Sequence, residues 1–191
     1  MAYFGLGYYS NMVYDQKNWD YKTFDVNTGM KAATIKTADA LNATNADLSG
    51  FRSHGGKLIL YHGWDDQAIS PWNTVTYYKD VRQKMGDTAS FLRLYMAPGV
   101  EHCAGGPGPS FFGQFGLQTA KGPMYGLFDS LVNWVEKGAP EDKITATKYG
   151  PGENGTPKVI MTRPLCAYPA VAKYSGSGDT NDAANFTCTA P

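Results

Sequence analysis

The chain has 191 residues, 42% hydrophobic and 18% charged, with 17 Lys and Arg against 17 Asp and Glu. That length predicts one domain with at most a small appendage, burying roughly 70% of the surface its unfolded form would expose, and the composition excludes disorder. Zero net charge excludes the electrostatic footprint of a nucleic-acid binder or a polybasic membrane-surface protein, and no apolar run approaches the roughly 20 residues that span a bilayer. A soluble protein with no nucleic-acid and no membrane partner is the expectation.

In chain order, residues 1–14 are an aromatic run without the basic start of a signal peptide. Residues 15–29 alternate aromatic and polar groups, and both stretches read as irregular. KAATIKTADAL, Lys31 to Leu41, predicts a short helix. Gly55-Gly56 then precedes KLILYHG, whose four apolar residues read as a buried parallel strand closed by a glycine. Pro71 opens a helix with Val75, Tyr78 and Val81 inward and Gly86 as its stop. ASFLRLYM, Ala89 to Met96, returns to strand character. A further helix is expected over Tyr125 to Gly138, with Leu127, Leu131, Trp134 and Val135 inward. Two short strands follow at Lys143 to Lys148 and Lys158 to Thr162, separated by GPGENGTP, and then a tail containing two cysteines.

Strand, helix, strand argues for an α/β fold with a mainly parallel sheet flanked by helices, its ligand site beyond the carboxyl ends of the strands. Both candidate strands end in chemically loaded loops, HGWDDQ and APGVEHCAGGPG. Of the three histidines, His54, His62 and His102, any one alone is more often a structural hydrogen-bonder than a catalyst. His102 differs in context, because it follows one strand while Asp65 and Asp66 follow the neighbouring one. An acid and then a histidine in that order is how a Ser-Asp-His hydrolase ends. A serine hydroxyl is a poor nucleophile, so an imidazole must take its proton and a carboxylate must fix the imidazole's tautomer. The bland alternative is that the two aspartates cap the helix near Pro71.

GGKLILYHGWDD, PWNTVTYY and APGVEHCAGGPGP, followed by RPLC and NFTC, resemble the C-terminal part of the tannase and feruloyl esterase family. That family also includes the hydrolase of mono(2-hydroxyethyl) terephthalate. The resemblance implies a secreted or periplasmic α/β-hydrolase that cleaves phenolic esters without a cofactor. It places the catalytic acid on Asp66 and the base on His102, and it puts His62 and Ile69 near the substrate pocket. It also implies that Cys103 pairs with a cysteine beside the nucleophilic serine, which lies outside this chain. In domain terms it implies residues 1–50 as a remnant of a lid or connecting segment, 51–165 as the C-terminal part of the hydrolase core, and 166–191 as a tail.

The family's Gly-Cys-Ser-x-Gly-Gly elbow is not matched, and G-x-S-x-G does not occur. The acid and base are therefore expected here without the nucleophile. Cys166 and Cys188, 22 apart in a turn-rich tail, suit a local disulfide; three reduced thiols is the competing reading. No metal-ligand spacing occurs, so no metal is expected. GGPGP is read as giving flexibility to the histidine loop. Three functional readings follow: an esterase completed by a serine-bearing segment, a catalytically silent module that pairs with such a segment or forms a homo-oligomer, and a hydrolase recruiting a local serine such as Ser70.

Overall fold

A computed structural model of the chain describes residues 2–114 and 126–191. The chain divides into two compact units, residues 1–45 and 46–191.

The first unit is more helical than the sequence led us to expect. Helix α1 (Ala2–Gly7) runs into a wider π-helical turn over Tyr8–Val13, a 3-10 turn covers Tyr21–Thr23, and α2 (Val26–Leu41) has 16 residues rather than a short run from Lys31. The extra length has a local cause. Asp25 stands at the N-cap, its side chain accepting from the Thr28 amide at 2.9 Å. Phe24 lies over Gly29, where any Cβ would overlap the ring, so this glycine serves packing rather than breaking the helix. Tyr9, Trp19 and Phe24 form an aromatic cluster, Tyr9 and Phe24 meeting edge to face at 4.6 Å.

The second unit is built on two parallel strands, β1 (Leu58–Gly63) and β2 (Leu92–Ala97), paired from Leu58 with Leu92 to Gly63 with Ala97. A short helix α3 (Ser49–Ser53) precedes β1, and α4 (Pro71–Met85) connects the strands. Alternation along β2 sends its side chains to two cores, which is why the strand is apolar at every position except Arg93. On one face Leu92, Leu94 and Met96 meet Val75, Tyr78 and Val81 of α4. On the other, Tyr95 and Ala97 meet Phe112, Leu127, Ile144 and Leu165.

Helix α5 (Leu127–Lys137) ends at Gly138 in the left-handed region, as expected; the predicted start at Tyr125 lies outside the described residues. Leu127, Ser130 and Trp134 are its buried positions, whereas Val135 is 61% exposed and does not face inward. The buried residues follow the i, i+3, i+7 stripe, and Val135 sits one step of about 100° beyond it.

Among the described residues, β1 and β2 are the parallel pair. Strands β3 (Lys143–Gly150) and β4 (Lys158–Cys166) pair antiparallel, as do β5 (Val171–Tyr174) and β6 (Phe186–Thr189). The expected mainly parallel sheet is thus not confirmed, and for β3 and β4 the reason is topological. The turn-rich GPGENGTP is too short for a crossover, so its flanking strands must run antiparallel. The tail is joined to β4 by the Cys166–Cys188 disulfide, with Cα atoms 5.6 Å apart, and by the Arg163 guanidinium, which lies 3.9 Å from the Phe186 ring centroid. Among the described residues, no helix is long and apolar enough to cross a membrane.

Candidate active site

Because β1 and β2 are parallel and end in register, the segments leaving Gly63 and Ala97 emerge side by side. They are stitched together by backbone. The Trp64 amide donates to the Ala97 carbonyl at 2.9 Å and the Asp65 amide to the Val100 carbonyl at 3.1 Å. Gly63 makes the approach feasible, since a Cβ there would overlap the Val100 carbonyl oxygen.

Asp66 sits in the first of these loops with its side chain 3% exposed. Oδ1 accepts from the Ala68 and Ile69 amides, each at 2.8 Å. Oδ2 faces two imidazoles, His102 Nδ1 at 2.9 Å and His62 Nε2 at 3.1 Å. Burial alone would raise the Asp66 carboxyl, but the Ile69 amide, the His102 ring and the Ala68 amide outweigh it, so Asp66 stays ionised well below the usual carboxylate range. An ionised carboxylate only accepts, so His102 must carry its proton on Nδ1, leaving Nε2 as the basic nitrogen. The His102 side chain is half exposed, which gives Nε2 access to a reacting group.

The reading of the aspartates as helix caps does not hold. Ser70 is the N-cap residue of α4, without a side-chain bond, and Asp66 closes its own turn on Ala68 and Ile69 instead.

The loop carrying His102 is also braced. Gly99, at φ 69°, allows the chain to double back so that the Gly108 amide reaches the Gly99 carbonyl at 2.7 Å. Lys148 of β3 donates to the Pro107 carbonyl. The buried Gln114 amide donates to Ser110 O at 2.6 Å and to Cys103 O at 3.4 Å while accepting from the Phe112 amide at 3.0 Å. Glycines here close the loop through tight contacts, where the sequence had led us to expect flexibility. Gln114 and Lys148 carried no sequence signal, because their partners lie in the backbone of another segment.

The other expected residues are placed as follows. Cys103, directly after His102, is a free thiol in the left-handed region at φ 62° and is half buried. The disulfide joins Cys166 and Cys188, which removes the reading of three reduced thiols. Ile69 is 48% exposed, while its amide and carbonyl are engaged by Asp66 and His62. Trp72, 59% exposed, meets Trp64 edge to face at 5.3 Å. His54 takes the bland role, its Nδ1 bonding the Gly50 carbonyl at 2.7 Å within its own turn. Among the described residues, no serine hydroxyl bonds the His102 ring, and no cluster of three or more His, Cys, Asp or Glu side chains is placed to hold a metal ion.

Comparison with known proteins places nearly the whole chain in one family. The tannase and feruloyl esterase family profile matches residues 4–189. The mono(2-hydroxyethyl) terephthalate hydrolase of Piscinibacter sakaiensis is 43% identical over 158 residues, covering 83% of this chain and 24% of that protein. A probable feruloyl esterase B-2 of Aspergillus terreus is 34% identical over 191 residues, covering 97% of this chain and 36% of its own length. The crystal structure of feruloyl esterase B from Aspergillus oryzae superposes with a TM-score of 0.78 at 32% identity, over 95% of this chain and 36% of that one. The chain thus spans about a quarter to a third of the relatives it matches. With a profile match over nearly all of its length, and relatives sharing a third or more of its aligned residues, this chain belongs to the tannase and feruloyl esterase family.

Proposed function

We propose that this chain supplies the acid and base of a carboxylic-ester hydrolase working by a Ser-His-Asp mechanism on phenolic esters, the serine coming from a segment outside these 191 residues. The observation that carries the proposal is the 2.9 Å contact between His102 Nδ1 and a buried, ionised Asp66. His102 Nε2 takes the serine hydroxyl proton as the oxygen attacks the ester carbonyl carbon, and Asp66 stabilises the imidazolium that forms. The same proton passes to the departing alkoxide, so that an alcohol leaves and an acyl-serine remains. Water then gives a proton to Nε2 and its oxygen to the acyl carbon. Collapse returns the proton to the serine and frees the carboxylic acid.

The wider reading is an α/β-hydrolase core, of which residues 51–165 form the C-terminal half, with residues 1–50 as part of a lid or connection and 166–191 as a disulfide-tied tail. Cys103, beside the base, is placed to pair with a cysteine of the serine-bearing segment. Ile69 and the Trp64–Trp72 pair offer apolar surface to the aromatic acyl group. The Cys166–Cys188 disulfide fits a secreted or periplasmic protein.

The test is hydrolysis of methyl ferulate by the polypeptide that carries this chain. Asp66→Asn and His102→Ala should each lower kcat by about 10³- to 10⁴-fold. Unchanged rates in both variants would overturn the assignment. By itself the 191-residue chain should be silent and resist a fluorophosphonate probe. Labelling of Ser70 would instead make a local serine the nucleophile.

A further inference from the structure

The carboxylate oxygen that holds His102 is shared. His62 leaves β1 one residue before its end, four residues ahead of Asp66, and its side chain is only 12% exposed. Its Nε2 lies 3.1 Å from Asp66 Oδ2 and 3.2 Å from the Ile69 carbonyl oxygen, both of which accept and neither of which donates. Its Nδ1 lies 2.7 Å from Thr74 Oγ1, in the first turn of α4. Two acceptors at Nε2 require the proton there. In the neutral ring Nδ1 is then the acceptor, and the Thr74 hydroxyl donates to it. Both ring nitrogens are consumed inside the chain, so neither is free to bond a substrate at the pocket position that the family resemblance assigns to His62.

We propose that His62 is a positioning residue: an imidazole protonated at Nε2 that donates to Asp66 Oδ2, so that the oxygen is held for His102 Nδ1. The geometry divides the labour at Asp66. Oδ1 is fixed by the Ala68 and Ile69 amides, which belong to Asp66's own loop and move with it. Among the described residues, His62 ties the carboxylate to the strand β1 and, through Thr74, to the helix beside it. With His62 and His102 on Oδ2, the Ala68 and Ile69 amides on Oδ1, and His102 Nδ1 also 3.2 Å from Oδ1, any rotation of the carboxylate out of this plane breaks bonds on both oxygens. The Asp66 carboxylate and the Ile69 carbonyl determine which nitrogen of His62 carries the proton, the Thr74 hydroxyl is able to donate to the other, and the bond to the Ile69 carbonyl links His62 to the loop bearing Asp66.

This inference rests on the esterase reading only for its kinetic arm, and the test separates the two. With histidine-selective ¹⁵N labelling of the full polypeptide, His62 should be the Nε2-protonated tautomer at neutral pH and His102 the Nδ1-protonated one. His62→Gln keeps an N–H donor near the Nε2 position, and His62→Leu removes it with little change in volume. Leu should make the His102 tautomer mixed and lower kcat for methyl ferulate by about 10- to 100-fold with KM within about twofold. Gln should restore most of both. An Nδ1-protonated His62, or a Leu variant with the native His102 tautomer, would overturn the positioning role. So would a Leu variant whose loss lies in KM, which would return His62 to substrate binding. If the unaltered polypeptide hydrolyses no ester at all, the esterase reading fails, and the tautomers still decide the role of His62.

Discussion

Gly63 and Val100 meet so closely that a single added carbon on Gly63 would occupy the Val100 carbonyl oxygen. This contact, between the last residue of β1 and a residue three beyond β2, is what places the Asp66 turn beside the His102 loop. Val100 itself is fully buried, so it has little room to retreat.

Gly63→Ala should therefore act on the site through the backbone. We expect a loss of about 1–3 kcal/mol, read as a lower urea midpoint at unchanged slope. The His102 Nδ1 proton should exchange faster, because the two loops separate. A variant as stable as the parent would show that the overlap relaxes without consequence.

Acid should weaken the fold through Asp66. Its ionised form is favoured in the folded state, so the unfolded chain takes up a proton more readily. The stabilisation is complete above the ordinary value of 3.8 and is lost as pH falls below about 4 toward the lower folded value. Asp25 and Asp47 are shifted in the same direction and contribute in the same window, but both are fully exposed. Comparison with Asp66→Asn isolates the site. The Asn variant should be less stable at pH 7 yet lose less between pH 7 and pH 3, as measured by urea unfolding at both values. Parallel losses in the two proteins would remove Asp66 from the acid response.

Gln114 should matter more to the loop than its distance in sequence implies. Gln114→Leu leaves the Phe112 amide buried without its acceptor, and the Ser110 and Cys103 carbonyls without their donor. A cost of about 2 kcal/mol is expected from the unsatisfied groups. Hydrogen exchange should accelerate over residues 98–112 while β5 and β6 keep their protection. Uniform acceleration across the chain would point to general destabilisation instead.

The Cys166–Cys188 bond closes a loop of 22 residues in sequence separation. Its reduction should lower stability by about 3 kcal/mol in the chain-entropy account. In the 191-residue chain, where Cys103 is free, Cys188→Ala should reproduce that loss and should show no further response to a reductant. A Cys188→Ala variant that still responds would mean that another disulfide is being reduced.

The local chemistry of the site was legible in the sequence because it depends on neighbours along the chain. An apolar strand closed by glycine and a proline at a helix start each act over a few residues, and β1 and α4 followed from them, whereas the turn that Asp66 closes on the Ala68 and Ile69 amides was not read from the sequence. The order of acid then histidine after successive strands likewise predicted that the two side chains would meet, since parallel strands joined by one helix end on the same side. What the residues alone did not disclose were relationships across the fold. The engagement of both His62 nitrogens, the bracing of the His102 loop by Gln114 and Lys148, and the antiparallel pairing of β3 with β4 each join segments whose proximity no local pattern encodes. The length of α2 was hidden for another reason: Gly29 reads as a helix breaker until the ring of Phe24 is seen to require it. Sequence determined which groups could do chemistry, and tertiary structure decided which hydrogen bonds each of them has left to make.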